Sequence, residues 1–180
     1  MFLYSFVHIS YSPVKPVDNI TVAPSPEVVD VVVNAIPVRL VIKSINIDTT
    51  IYEAGLSSSG DMDISENPDE VAWYKLGPKP GEIGSAVIAG HYGWKDGHGS
   101  VFNNIHLLIK GDEVSVYDAE GTETTFVVRE TRIYNPEADA TKVFTSTDKK
   151  AHLNLITCGG IWVNNKDSYS DRLVVFTDLK

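Results

Sequence analysis

Cysteine is nearly absent: Cys158 is the only one in 180 residues. No internal disulfide can form, so that thiol is a buried core residue, a metal ligand or a nucleophile. Positive charge is also short. Lysine and arginine number 15 against 24 acidic residues, for a formal net charge of -9. That balance excludes the basic stripe a nucleic-acid footprint needs, so no nucleic-acid partner is expected. Long apolar runs are missing as well. The opening "MFLYSFVHISYSP" falls short of the roughly 20 apolar residues that cross a bilayer, and it lacks the positive n-region and small-residue cleavage site of a secretory signal. Nor is there any repeat at a period of about 20 to 50 residues. One domain plus a tail is the organisation these absences leave.

From Pro13 to Pro37 the chain carries five prolines among interrupted valines; up to Pro26 it reads as an extended linker, since proline fixes φ and removes a donor, and the domain proper starts near Val28 or Pro37. Residues 1–37 are therefore taken as leader and Pro-rich linker, either the stump of a longer membrane anchor or an added strand or unstructured segment. Residues 38–180 are taken as the folded domain. Within it, short β-branched runs recur: "VRLVIKSINI", "SAVIAGH", "EVSVYDA", "TTFVVRETRIY", "HLNLITC" and "RLVVFTD". Between them sit "GLSSSGD", "GPKPGEIG", "IKGDE" and "DAEGTE", rich in residues that supply turn geometry. The pattern predicts an all-β domain, a small antiparallel barrel or sandwich. Helical signal is confined to "GSVFNNIHLLIKGD", where Val101, Phe102, Ile105, Leu108 and Ile109 predict one short amphipathic helix ended by Gly111.

Cys158 closes the apolar run "LNLITC" and is followed by Gly159 and Gly160. In an alternating strand His152, Asn154, Ile156 and Cys158 share a face, and the glycines let a substrate backbone approach the sulfur. A nucleophilic thiol needs a proton acceptor and a group to stabilise an oxyanion. Of five histidines, His91 ends a β-type run. His8 lies in the leader, His106 on the expected helix and His98 in a polar loop. His152 shares the face of Cys158 but stands six residues away, about 20 Å along an extended strand. Of four arginines, Arg39, Arg129 and Arg132 suit solvated strand faces. Arg172 opens the final apolar run, and a hairpin would set it beside the thiol; the bland alternative is an ion pair to Asp171 or Asp167. Its charge persists at any working pH, so it can hold a carbonyl or developing oxyanion.

With "AGH" ending in His91, "LITC" ending in Cys158 and "DRLVVF" containing Arg172, the chain resembles the sortase family of cysteine transpeptidases over roughly residues 38 to 178. The stretch from Trp73 to His91, with "TCGG" and "YSDRLVV", most resembles class F sortases. The resemblance implies a closed eight-stranded β-barrel with one or two short helices. It also implies acyl transfer on secreted proteins that end in an LPxTG-like sorting signal. By the same analogy Cys158 attacks the Thr–Gly carbonyl, His91 serves as acid and then base, and Arg172 holds the substrate backbone and the oxyanion. Thr157 is a further candidate for substrate contact or the oxyanion site. The acceptor would be an amine of a cell-wall precursor or a protein lysine, and the location extracytoplasmic, in the cell envelope, with a membrane anchor in the full-length protein. If thiol and imidazole titrate independently, only about one molecule in a hundred holds the thiolate–imidazolium form near pH 7.5.

Three other readings compete. A zinc site from Cys158, His91 and His98 lacks close-spaced ligand pairs. A binding module would use Trp73, Tyr74, Trp94 and Trp162 near loops, and a cysteine peptidase would surrender the thioester to water. The acidic residues Asp61, Asp63, Glu66, Asp69 and Glu70 read as a solvated loop, so no metal and no cofactor are expected.

Overall fold

The fold is that of a computed structural model, which describes residues 35–58, 60–93, 99–165 and 168–180. The strands are β1 (Pro37–Ile42), β2 (Ile47–Ala54), β3 (Val71–Tyr74), β4 (Gly84–Gly90), β5 (Glu113–Asp118), β6 (Glu123–Tyr134), β7 (Ala151–Val163) and β8 (Ser168–Leu179). They close into one barrel in the order β1-β2-β3-β4-β7-β8-β6-β5. Closure removes the unpaired edges on which strands of other chains could add. The leader and most of the Pro-rich linker, with His8, lie outside the described residues. Among those described, no helix is long and apolar enough to cross a membrane.

The barrel is not wholly antiparallel: β2 runs parallel to β3, and β4 parallel to β7. Period-two alternation identifies a strand but says nothing about its partner, which is why the antiparallel expectation needed this correction. Parallel neighbours cannot be joined by a tight turn. The chain accordingly crosses from β4 to β7 by way of β5, β6 and α1 (Thr141–Phe144).

Alternation sorts the side chains. On β7, Leu153 and Leu155 enter the barrel core with Ala86 and Ile88 of β4 and Val175 of β8. The opposite face of the same strands is covered by α1, where Val143, Val174 and Phe176 form a second cluster with Ile156 against it. Asn154, on that outer face, is almost fully buried and donates from Nδ2 to the Val143 carbonyl at 2.6 Å. α1 is thereby fastened to the outside of the β7 strand.

The expected amphipathic helix over residues 101–109 does not form; it is a run of turns with one 3-10 turn at Ile105–Leu107. Phe102, Ile105 and Leu108 are buried while Ile109 is 69% exposed. The three buried residues recur every third position, which is the period of the tighter 3-10 winding. Two hydrophobic matches to an α pattern were therefore shared with another geometry. Gly111 ends the segment with φ of 101°, as a positive-φ glycine does.

Candidate active site

β7 does not stop at Cys158. It continues through both glycines to Val163 and pairs with β8 from Ser168 onward, so the thiol and Arg172 lie mid-hairpin and not at strand ends. A register shift between Gly159 and Trp162 marks the irregularity that follows the thiol. Gly160 there has φ of 79°. A Cβ at that position would lie 2.1 Å from Ser170 Oγ and 2.2 Å from Asp171 Oδ2, so only glycine fits.

The sheet register relates three of the candidate residues to one another. Cys158 is the direct antiparallel partner of Arg172, and opposed residues bring their Cβ atoms within about 4.5–5.5 Å. On the other side of β7, the parallel register pairs Ala89 with Ile156. Continued two steps, it sets His91 beside Cys158. The continuation has a physical tie, because Thr157 Oγ1 donates to the Gly90 carbonyl at 2.8 Å. By this register His91, the residue after β4, lies level with Cys158 on one side, and Arg172 of β8 is its partner on the other.

Each flanking group is held. His91 Nε2 donates to the Ser65 carbonyl at 2.7 Å, and its own carbonyl accepts from Phe102 N at 3.1 Å. A carbonyl only accepts, so the Ser65 contact makes Nε2 a protonated nitrogen. Arg172 donates from Nη1 to the carbonyls of Tyr169 and Asp171, at 3.2 and 3.0 Å, and from Nη2 to Ser168 Oγ at 3.2 Å. Asp171 meets the guanidinium through its backbone carbonyl; Asp167 lies outside the described residues. Among the described residues, Nε–H and the second Nη2–H have no hydrogen-bond acceptor.

Cys158 is partly exposed. Burial pushes its thiol above the ordinary cysteine value, and the Arg172 cation pulls the other way by the smaller amount. The thiol form is therefore favoured in the resting protein, and any thiolate owes its stability to the positive charge alongside.

Thr157 stands apart from this group. It is 3% exposed, on the inward face of β7, with its hydroxyl on Gly90. That position ties two strand ends together and offers nothing to a ligand on the outer face. His152 is likewise accounted for: Nδ1 bonds Asp178 Oδ1 at 2.8 Å and Nε2 bonds Asp148 at 2.9 and 3.0 Å. Of the remaining candidates, Trp94 and His98 lie outside the described residues. Among the described residues no three or more His, Cys, Asp and Glu side chains gather where a metal could sit.

One residue was missed. His106, expected on a helix, lines a cavity of about 180 Å³ together with Tyr92, Ile133, Leu173, Asp171 and Cys158. Its spacing from Cys158 in sequence carries no signal of this, because the contact depends on how the segment after β4 folds back over the barrel end. Above the same hairpin Tyr169 makes edge-to-face contacts with Tyr92 and Trp162, at centroid distances of 5.3 and 5.2 Å.

Comparison with known proteins agrees with this geometry. Residues 40–180 match the family model described as the sortase domain. No curated protein shows significant similarity to the chain. Among solved structures, sortase A from Corynebacterium diphtheriae is 22% identical with a TM-score of 0.64, over 82% of this chain and 61% of that one. Sortase C-1 from Actinomyces oris is 25% identical with a TM-score of 0.60, over 80% and 74%. Sortase C1 from Streptococcus agalactiae is 20% identical with a TM-score of 0.63, over 79% and 66%. The chain thus spans about three fifths of the length of the Corynebacterium protein.

Proposed function

Because the chain belongs to the sortase family of cysteine transpeptidases, we propose that it is an acyl transferase in which Cys158 is the nucleophile, His91 the acid and base, and Arg172 the oxyanion donor. The observation that carries this reading is the double register at Cys158: Arg172 is its direct partner on one side, and His91 follows from the parallel β4–β7 pairing on the other.

The working form is the thiolate with the imidazolium. Cys158 Sγ attacks the carbonyl carbon of the Thr–Gly bond in an LPxTG-like sorting signal. Negative charge gathers on the carbonyl oxygen, where the guanidinium N–H donors stabilise it as it develops. The C–N bond breaks as His91 gives its proton to the leaving amine, and a thioester remains. In the second half an amine attacks the thioester carbon, His91 takes up the proton, the C–S bond breaks and the thiolate returns. Thr157 in this scheme is a positioning residue, holding the ends of β4 and β7 in step through Gly90.

The finer assignments follow the same reading. The stretch from Trp73 to His91, with "TCGG" and "YSDRLVV", favours class F. The catalytic domain is residues 38–180, with residues 1–37 as leader and linker to a membrane anchor of the full-length protein at the cell envelope. Substrates are secreted proteins carrying the sorting signal, and the acceptor is an amine of a cell-wall precursor or a protein lysine.

The test is to mix the protein with peptides bearing LPxTG and related signals, quench in acid and weigh the intact protein. A mass gain equal to the N-terminal peptide fragment, absent in Cys158→Ala and discharged by added amine, is the expected result. Absence of both adduct and processed peptide across the panel would move the reading to a barrel that only binds.

A further inference from the structure

The ring of His91 is held by a loop. Its Nε2 donates to the carbonyl of Ser65 at 2.7 Å, and Ser65 lies in the connection between β2 and β3, outside any strand or helix. A loop carbonyl can turn toward water unless its residue is tied down. Ser65 is tied through its own backbone N–H, which donates to the hydroxyl oxygen of Tyr52 on β2. One residue thus joins a side chain of β2 to the imidazole that follows β4.

The sheet register shows how it spans them. Tyr52 is level with Ala72 of β3, and Ala72 with Ala89 of β4, two residues before His91. Ile51, Val71, Trp73 and Ile88 all belong to the barrel core, so by alternation Tyr52, Ala72 and Ala89 point outward. Both alanines are buried all the same, at 0% and 4% exposed. A residue bonded to Tyr52 on one side and to His91 on the other has to cross β3, and methyl-sized side chains in that row leave it room to lie close to the sheet. Further along, the loop is fastened by other bonds. Asn67 N donates to Ser65 Oγ at 3.0 Å, Asp69 N donates to Asn67 Oδ1 at 3.1 Å, and Val101 N donates to the Pro68 carbonyl at 2.9 Å. The Tyr52 hydroxyl is what ties Ser65 itself to the sheet.

Burial holds the Tyr52 phenol above its ordinary value; the Ser65 N–H pulls the other way, and the Asp63 and Glu70 carboxylates add to the rise. The hydroxyl therefore stays neutral across the range in which a thiol and an imidazole exchange protons, and the tie does not come and go with pH.

We propose that Tyr52 is a positioning residue of the transferase: its hydroxyl fixes Ser65, and through the Ser65 carbonyl it fixes the ring of His91. The inference rests on the reading of His91 as acid and base. A catalytic acid has to stand within hydrogen-bond reach of the group it protonates, and a small misplacement slows the reaction even when the substrate still binds. The same chain of bonds dictates the tautomer, because a neutral imidazole that donates from Nε2 carries its one proton there.

The test pairs a spectroscopic signature with kinetics. In protein labelled with 15N at histidine, the neutral His91 ring should show its proton on Nε2. Tyr52→Phe keeps the ring and deletes the hydroxyl. It should turn that single tautomer into a mixture and lower the maximal rate of acyl-enzyme formation on an LPxTG peptide by about three- to tenfold, the worth of one hydrogen bond. The peptide concentration giving half-maximal rate should change by less than about twofold. Asn67→Ala cuts a different bond of the same loop and should leave tautomer and rate as they are. A lower melting temperature in Tyr52→Phe with tautomer and rate unchanged would make Tyr52 merely structural, and an equal loss in Asn67→Ala would make the effect a general loosening of the loop; either overturns the inference. So does a proton on Nδ1 in the unaltered protein, a result that needs no variant to fold. His91→Ala separates this inference from the reading beneath it. If that variant acylates at the full rate, the acid and base role fails whatever Tyr52 does to the ring; if it is inactive while Tyr52→Phe changes nothing, the Tyr52 inference alone fails.

Discussion

Replacing Thr157 by valine separates two roles for that residue. The side chain is nearly isosteric and 3% exposed, so the change deletes one buried hydrogen bond, from Oγ1 to the Gly90 carbonyl at 2.8 Å, with little change in packed volume. Leaving a buried acceptor short of its donor costs about 1–3 kcal/mol. For a domain of this size each kcal/mol lowers Tm by about 2–4 °C, so a fall of roughly 2–12 °C is expected by calorimetry or circular dichroism. Thr157→Ser keeps the hydroxyl and loses one methyl, about 0.8 kcal/mol, so it should recover most of the loss. Acyl transfer should decline with valine and return with serine, because the tie holds the end of β4 that carries His91. If Thr157→Val melts at the wild-type temperature yet loses activity a hundredfold, Thr157 touches substrate and the positioning role is wrong.

Alkylation of Cys158 by iodoacetamide near pH 7 should be slower than that of an unburied cysteine, because burial raises the thiol and only the thiolate reacts; Arg172→Ala should slow it further, and a faster thiol would contradict the electrostatics. Gly90→Ala would drive a Cβ to within 2.6 Å of the Phe102 ring in a filled core, costing about 1–3 kcal/mol and displacing the adjacent His91, which denaturant unfolding and the acyl-enzyme assay would register together. Asp148 is held below the usual carboxylate range, chiefly by its hydrogen bond to His152 and then by Ser146 and the Lys150 N–H. A depressed carboxyl stabilises the fold fully above its unfolded value and loses that stabilisation as pH falls through the folded one. His152→Gln should therefore move the acid-unfolding midpoint to higher pH, and an unchanged midpoint would remove His152 as the cause.

Much of the site was legible because catalytic chemistry restricts residue type. A single cysteine, one histidine closing a β run and one arginine opening another left few combinations, and alternation alone put His152, Asn154, Ile156 and Cys158 on one face, as found. Strand positions were legible for the same reason, since a wall with one dry side must alternate. Two things were not. The parallel β4–β7 pairing joins residues 67 apart, such as Gly90 and Thr157, and no local pattern encodes a partner. The 3-10 segment at Ile105–Leu107 shares its apolar spacing with an α-helix, and burial of Phe102, Ile105 and Leu108 in the core, a non-local contact, goes with the tighter turn.

What the sequence by itself determined was a β-rich domain and the three side chains with chemistry to offer, because strand period and residue reactivity are local properties. Which side of the wall each one faces was decided by tertiary structure. Barrel closure turned Thr157 inward onto Gly90, and it left a cavity where His106 and Asp171 meet Cys158. Those contacts exist only once strands distant in the chain share a register, and register is set by the packing of the whole core.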